Sequence, residues 1–132
     1  MLTTEIRRFI DEMPLAFVAS TDESGQPHLA TGSGIMALDA DHVVFENWFC
    51  HTTLRNVARN PLVSVVVMSP ETGKGYQFAG SVAHAFDAAI LDGYVPGAEP
   101  PGIPQTLTRF VVRVQGVMAF ATGMHTDLPL EG

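Results

Sequence analysis

The first segment of the chain has the apolar spacing of an amphipathic helix. Its hydrophobic residues recur at helical intervals with charged residues between them, and they are Leu2, Ile6, Phe9, Ile10 and Met13. Thr3 or Thr4 can cap this helix, and Pro14 ends it because proline cannot continue the helical hydrogen-bond pattern. We expect the helix to cover one end of a sheet.

Most of the remaining chain has the alternating or continuously apolar pattern of β-strands. The predicted strands cover residues 15–21, 27–38, 42–47, 62–68, 76–86 and 106–120. A short helix is predicted between the third and fourth strands, where Thr52 or Thr53 can cap it and Asn60-Pro61 ends it. This order of elements predicts a mainly β fold, a small antiparallel barrel with two flanking helices.

The second predicted strand contains the sequence Gly32-Ser33-Gly34. Glycine weakens the interior of a strand, so its presence there indicates either a bulge or a place where another group approaches the backbone closely.

Composition restricts the class of protein. With 132 residues, of which 46% are hydrophobic and 16% charged, the chain is expected to form one domain spanning residues 1–132 with a buried core. The net charge of -7 argues against a nucleic-acid partner, which requires a basic face. Residues 62–68, the most apolar run, are far too short for a membrane span. The single cysteine and a charged N-terminal segment unlike a signal peptide favour a cytoplasmic protein.

Residues 46–61 are the most informative stretch, because a strand ends there and a helix begins with two threonines. A helix N-terminus offers free N–H groups and a partial positive charge, and neighbouring hydroxyls can complete a pocket for a phosphate or carboxylate. The alternative is ordinary helix capping, which a threonine performs without any ligand.

The histidines and the cysteine do not form a recognised metal-binding or catalytic motif. The five histidines are scattered, with no His-x-x-His or Cys-x-x-Cys spacing, so no metal site is predicted. Cys50 precedes a predicted helix, but nucleophilic catalysis would also require an orienting acid and an oxyanion site. An inert, buried cysteine is the expected alternative, and no catalytic residue is assigned.

Three segments in register resemble the pyridoxamine 5'-phosphate oxidase-like flavoproteins. They are the first hairpin at residues 16–28, the Asn-Val-Ala-Arg-Asn-Pro motif at residues 56–61, and the loop and strand at residues 72–83. The resemblance extends over about residues 4–86 and, more loosely, over the last strand. It points to the small, single-domain FMN-binding proteins of this family.

The resemblance implies a six-stranded antiparallel split barrel of Greek-key type that forms a homodimer with FMN at the subunit interface. The flavin ring would lie against the second strand, which would account for the glycines there, and the phosphate would lie at the start of the second helix. The cofactor-binding residues implied in this way are Thr31, Gly32 and Ser33 near the ring, Asn47 and Trp48 on the approach, His51, Thr52 and Thr53 at the phosphate, and Gln77 near the flavin of the partner subunit.

One position departs from the pattern that the resemblance implies. Many members of the family carry a lysine or arginine where this chain has Thr52 or Thr53. Arg55 can replace the missing charge by leaning back, or Arg109 and Arg113 of the last strand can supply it; solvation on an exposed face is the alternative for these arginines. Trp48 is expected either to stack on the bound ring or to fill the dimer interface.

The resemblance implies a flavin-dependent oxidoreductase acting on a small substrate that the sequence does not identify. The alternatives are a non-catalytic flavin-binding electron carrier, a related barrel that binds another anionic ligand such as a deazaflavin, haem or pyridoxal phosphate, and a purely structural dimer. The Pro/Gly-rich segment at residues 87–105 is expected to form an excursion that closes over the flavin as a lid.

Overall fold

The computed structural model of the protein describes residues 1–48, 50–87, 108–124 and 127–130, with the backbone alone for residues 84–87 and 108. The predicted excursion therefore lies, beyond Asp87, outside the described residues. The elements in chain order are α1 (Thr4–Glu12), β1 (Leu15–Thr21), β2 (Pro27–Ser33), β3 (Ile35–Ala37), β4 (His42–Trp48), α2 (His51–Arg59), β5 (Leu62–Ser69), β6 (Lys74–Asp87) and β7 (Thr108–Ala121).

Helix α1 forms as the apolar spacing predicts. The Oγ1 of Thr3 accepts a hydrogen bond from the Ile6 amide at 3.2 Å, so Thr3 is the N-cap, and the helix ends just before Pro14. Ile6 and Ile10 are buried, because the apolar stripe of the helix packs on the core. Among the described residues, no helix has the length and apolar character needed to cross a membrane.

The described strands form one antiparallel sheet in the order β2-β1-β5-β6-β7-β4-β3. Strands β5, β6 and β7 form a meander, and β1 and β4 pair with its two outer edges. The sheet curls into a half-barrel, since the ring of Trp48 at the end of β4 lies against the backbone of Gly32 in β2 although these strands are not neighbours. The prediction of a mainly β, antiparallel barrel is confirmed.

The structure has seven strands where the sequence predicted six. The predicted second strand is divided at Gly34, whose φ of 71° lies in the left-handed region that glycine adopts readily. The chain therefore leaves β2 at Ser33 and resumes as β3 at Ile35, which pairs with Phe45 of β4 instead of with β1.

The two faces of the sheet differ in character. The inner face is the core, where Val18, Val65 and Phe78 are fully buried. On the opposite face, which we call the outer face, the register places residues of β2, β1, β5 and β6 side by side in rows. These outer-face residues, none of them buried and none charged, are Leu15, Phe17, Ala19, Leu29, Thr31, Ser33, Ser64, Val66, Gln77 and Ala79.

Candidate functional site

A cleft of about 220 Å³ lies where β2, β4 and the start of α2 meet. The residues that line it are Leu15, Thr31, Gly32, Ser33, Asn47, Trp48 and Cys50. Five of the predicted cofactor-binding residues are thus brought together, three from β2 and two from β4. The curl of the sheet produces this arrangement, because β2 and β4 are far apart in the order of strands.

Trp48 forms a wall of the cleft with a ring that is already packed in the core. Only 1% of the residue is exposed, its ring stacks on Phe110 at 5.2 Å, and its Nε1 donates a hydrogen bond to the carbonyl oxygen of Cys50 at 3.1 Å. The indole has therefore used its donor and both of its faces lie among protein atoms. In the described chain the indole therefore packs in the core, while its contact with a bound ring or with a second copy of the chain stays a prediction.

The glycine at position 32 has a cause within the protein. A Cβ atom at Gly32 would lie 2.9 Å from the Cε3 atom of Trp48 and 3.3 Å from the Cδ1 atom of Phe45. The group that approaches the backbone at this point is therefore the indole, and no flavin ring is needed to account for the glycine.

The start of α2 differs from the sequence prediction. The helix begins at His51 with Cys50 at the N-cap position, and no side chain caps it. The prediction that Thr52 or Thr53 caps the helix is wrong, because both residues already lie within its first turn. The thiol of Cys50 is a poor acceptor, so the first N–H groups of α2 lack the side-chain oxygen that usually receives one of them.

The two threonines of the first turn have different environments. Thr53 is fully buried, and its Oγ1 has no hydrogen-bond partner among the described residues. Thr52 is half-buried, and its Oγ1 accepts a hydrogen bond from Nη2 of Arg55 at 3.4 Å. His51 is exposed at the start of the helix. An orphaned buried hydroxyl is unusual in a folded protein and indicates a place where a partner is missing.

The arginines considered in the sequence analysis are placed differently from one another. Arg55 turns back toward the start of α2, as one alternative expected. Arg109 donates to the carboxylate of Glu46 at 3.2 Å, and Arg113 is an exposed residue of β7. Neither Arg109 nor Arg113 lines the cleft.

A second depression, which we call the α2 groove, has a volume of about 430 Å³. It lies between the β1–β2 turn and α2, and its lining consists of Asp22, Glu23, Thr52, Arg55, Asn56, Ala58 and Arg59. Arg59 forms an ion pair with Glu23. The hydroxyl of Ser24 and then the amide of Gln26 hold the pKa of Asp22 below its ordinary value, because both donate hydrogen bonds to its carboxylate.

Gln77 is the predicted site residue that lies apart from the others. It stands on the outer face, where its Nε2 donates a hydrogen bond to Oγ of Ser64 at 2.7 Å. It shares a row with Thr31, from which it is separated by Phe17 and Val66. Within one chain Gln77 does not contribute to the cleft.

Three residues of the site were not predicted to bind a ligand: Leu15 and Cys50 in the cleft, and Asn56 in the α2 groove. Leu15 lines the cleft, and nothing in the local pattern distinguishes it from any other first residue of a strand. Asn56 anchors α2 to the sheet, since its Nδ2 donates to Oγ of Ser20 at 3.0 Å in a buried position. Its place in the Asn-Val-Ala-Arg-Asn-Pro motif was the available signal, although spacing alone does not show that the side chain points inward.

A curled antiparallel half-barrel with two helices is the architecture of a split barrel. The sequence model of the family described as pyridoxamine 5'-phosphate oxidase matches residues 2–117, and the chain belongs to this family. Among curated proteins, no significant match to the sequence was found.

Solved structures with the same fold agree with this assignment. HupZ from Group A Streptococcus is 21% identical with a TM-score of 0.69, and the match covers 96% of this chain and 99% of that chain. An FMN-binding protein from Syntrophomonas wolfei subsp. wolfei is 12% identical with a TM-score of 0.66, over 95% of this chain and 88% of that chain. HutZ, the haem storage protein from Vibrio cholerae, is 17% identical with a TM-score of 0.59, over 90% and 94%. At these identities the similarity shows the fold alone.

Proposed function

We propose that the protein binds FMN, with the phosphate at the start of α2 and the flavin ring in the cleft. The observation that carries this proposal is the first turn of α2, which has no capping side chain and holds the unpartnered hydroxyl of Thr53. The first N–H groups of such a helix start are free to donate to a ligand, and a phosphate oxygen is an anionic acceptor that helix termini bind well. Membership of the family and the fold shared with an FMN-binding protein support the same ligand.

The residues present fit FMN in their chemistry. Thr31, Ser33 and Asn47 are exposed along the cleft and offer donors and acceptors for the polar edge of a ring. The free amides of α2 and the Thr52 hydroxyl suit a phosphate. Bound FMN would supply hydride and electron transfer, and the chain would hold it and shape access to it. The proposed activity is therefore that of a flavin-dependent oxidoreductase on a small substrate, with no protein acid or base assigned.

We propose that the site is completed by a second copy of the chain. The cleft of about 220 Å³ is smaller than the roughly 300–1,000 Å³ of typical small-molecule pockets. The outer face adjoins it, since Thr31 and Ser33 belong to both, and this face carries no charged residue. A partner docked on the outer face would enlarge the cleft, and it would bring a second Gln77 toward the bound ring.

A cytoplasmic location remains a prediction from the single cysteine.

A second candidate is a barrel of this family that binds haem or another anionic ligand. Two observations favour it: positions 52 and 53 carry no basic residue, and a haem storage protein shares the fold. The visible spectrum separates the candidates, since flavin, haem and a colourless protein absorb differently. A flavin that is reduced and reoxidised with no substrate consumed would favour the electron carrier.

The experiment that tests the proposal uses Trp48, the only tryptophan of the chain, which borders the cleft. We expect FMN to quench its fluorescence and to saturate at one FMN per subunit. Thr52→Glu should weaken FMN binding at least about tenfold, because it places a carboxylate where the phosphate lies. Thr53→Glu is unsuitable for this test, because Thr53 is fully buried and a charge there would unfold the protein.

The matched control is Thr4→Glu, which adds the same charge to the first turn of the other helix. It should bind FMN as the original chain does. A protein that fails to bind FMN, or a Thr52→Glu variant with unchanged affinity, would refute the proposal.

A further inference from the structure

A further cavity, which we call the α1 cavity, lies between α1, strands β6 and β7, and residues 129–130. Its volume is about 400 Å³, within the range of roughly 300–1,000 Å³ that is typical of small-molecule pockets. Its apolar wall includes Ile6, Val117 and Leu130, and the Leu130 amide donates a hydrogen bond to the carbonyl oxygen of Val117 at 2.7 Å. The α1 cavity shares no described lining residue with the cleft or with the α2 groove, so the proposed FMN site does not account for it.

Three polar side chains that line the α1 cavity are unpaired. The carboxylate of Glu5, the hydroxyl of Tyr76 and the side-chain amide of Gln115 make no hydrogen bond or ion pair with another described residue. Each of the three offers a hydrogen-bond acceptor. The described lining residues include no lysine, arginine or histidine, and the amino group of Met1 is paired with Asp41. A negative charge and two neutral acceptors therefore face the cavity without a cation to balance them.

The ring of Tyr76 is held in a fixed position beside this charge. It stacks on Phe78 with a centroid separation of 6.4 Å, and it meets the ring of Phe9 edge to face at 5.2 Å. Burial raises the pKa of the Tyr76 hydroxyl above its ordinary value, and the negative charge of Glu5 raises it further. The carboxylate of Glu5 and the electron-rich ring both attract a positive charge.

We propose that the α1 cavity binds a small primary alkylamine in its ammonium form. An ammonium group has three N–H donors and no acceptor, which matches the acceptors of Glu5, Tyr76 and Gln115. The alkyl chain would lie on the apolar wall and be removed from water there. This binding is separate from the proposed function, because the α1 cavity and the FMN site share no described residue.

The test is a titration of the protein with n-butylammonium chloride at neutral pH, followed by the backbone amide NMR signals of Glu5, Tyr76 and Gln115. We expect these signals to shift and saturate, and n-butanol, an uncharged molecule of similar size, to bind at least about tenfold more weakly. Glu5→Gln should weaken butylammonium binding about tenfold, the usual scale for a hydrogen bond to a charged group.

Glu12→Gln is the matched control, because it removes the same charge from an exposed position of the same helix outside the α1 cavity. It should change butylammonium binding less than about twofold. Signals that do not move with butylammonium would overturn the inference. Equal binding of n-butanol would show that the cavity selects no charge, and an equal loss in Glu5→Gln and Glu12→Gln would show attraction by the net charge of -7 alone. Either result would also overturn it.

Discussion

The indole of Trp48 occupies the space that a side chain at position 32 would need. We expect Gly32→Ala to destabilise the protein by about 1–3 kcal/mol, because a methyl group in this packed position forces the ring of Trp48 to move. Urea denaturation measures the change. Gly116→Ala is the control, since a Cβ there would meet no atom within 4 Å and should cost less than about 0.5 kcal/mol. Equal stabilities for the two variants would contradict this account of Gly32.

A double variant sharpens the same argument. Trp48→Phe has a smaller ring, so Gly32→Ala should cost less in that background than in the original chain. The two changes would then be non-additive, as expected for residues in contact.

Removing the hydroxyl of Thr53 is expected to have opposite effects on the stability of the protein without ligand and on FMN binding. Thr53→Val keeps the shape and removes an unpartnered buried hydroxyl, so we expect the protein without ligand to gain about 1 kcal/mol of stability. FMN binding should weaken if this hydroxyl contributes to the phosphate site. Thr3→Val is the contrasting control, because Thr3 caps α1 and its loss should cost about 1 kcal/mol. A Thr53→Val variant that is less stable than the original chain would show that the hydroxyl has a partner.

At the scale of single residues, the sequence pointed to Gly32 and to the threonines of α2 as unusual positions, but it did not give the physical cause in either case. The glycines of residues 32–34 predicted either a bulge or a close approach. At Gly32 the structure has a close approach, by the side chain of Trp48 sixteen positions away, which meets it only because the sheet curls. The threonines were recognised as the start of a helix, but their roles depend on the residue at which α2 begins. A shift of one or two residues turns a capping hydroxyl into a buried orphan.

The helices and strands themselves were largely predictable, because each is encoded by local periodicity. α1, β1 and β5 lie where the apolar patterns place them. The division of the second strand was not predicted, since a glycine in a strand can mark a bulge, a break or a contact, and only the pairing partners decide which. The assembly of the site also depends on non-local pairing of β4 with β7, which no local pattern specifies.

The missing cap of α2 gives a prediction for this element. Cys50→Asp would place a carboxylate at the N-cap, so we expect about 1 kcal/mol of added stability in the protein without ligand. The same carboxylate would occupy the amides that a phosphate uses, and FMN binding should weaken about tenfold. Thermal denaturation and FMN titration measure the two effects.

Cys50→Ala controls for the loss of the thiol, because alanine cannot cap the helix and should produce neither effect. If Cys50→Asp stabilises the protein and leaves FMN affinity unchanged, the phosphate does not lie at this helix start.

For the whole molecule, the arrangement of the outer face connects the fold to the proposed dimer. The register aligns Thr31, Phe17, Val66 and Gln77 across four strands, so one row joins the cleft to a surface without charge. The sequence shows that each strand has a second, weakly polar face. It does not show that these faces form one continuous surface, because this requires the order of the strands.

Ala79 is an exposed residue of this outer face, and Ala79→Glu tests the proposed assembly. A carboxylate buried in an interface without a partner costs several kcal/mol, so we expect sedimentation velocity to show a shift from dimer to monomer. FMN binding should weaken in the same variant, because each cleft would lose the half supplied by the partner. Ala40→Glu adds the same charge in the turn between β3 and β4, outside this face, and should leave both the dimer and FMN binding unchanged. A dimeric Ala79→Glu protein would exclude the outer face as the interface, and a monomeric variant that binds FMN with full affinity would show that one chain holds the whole site.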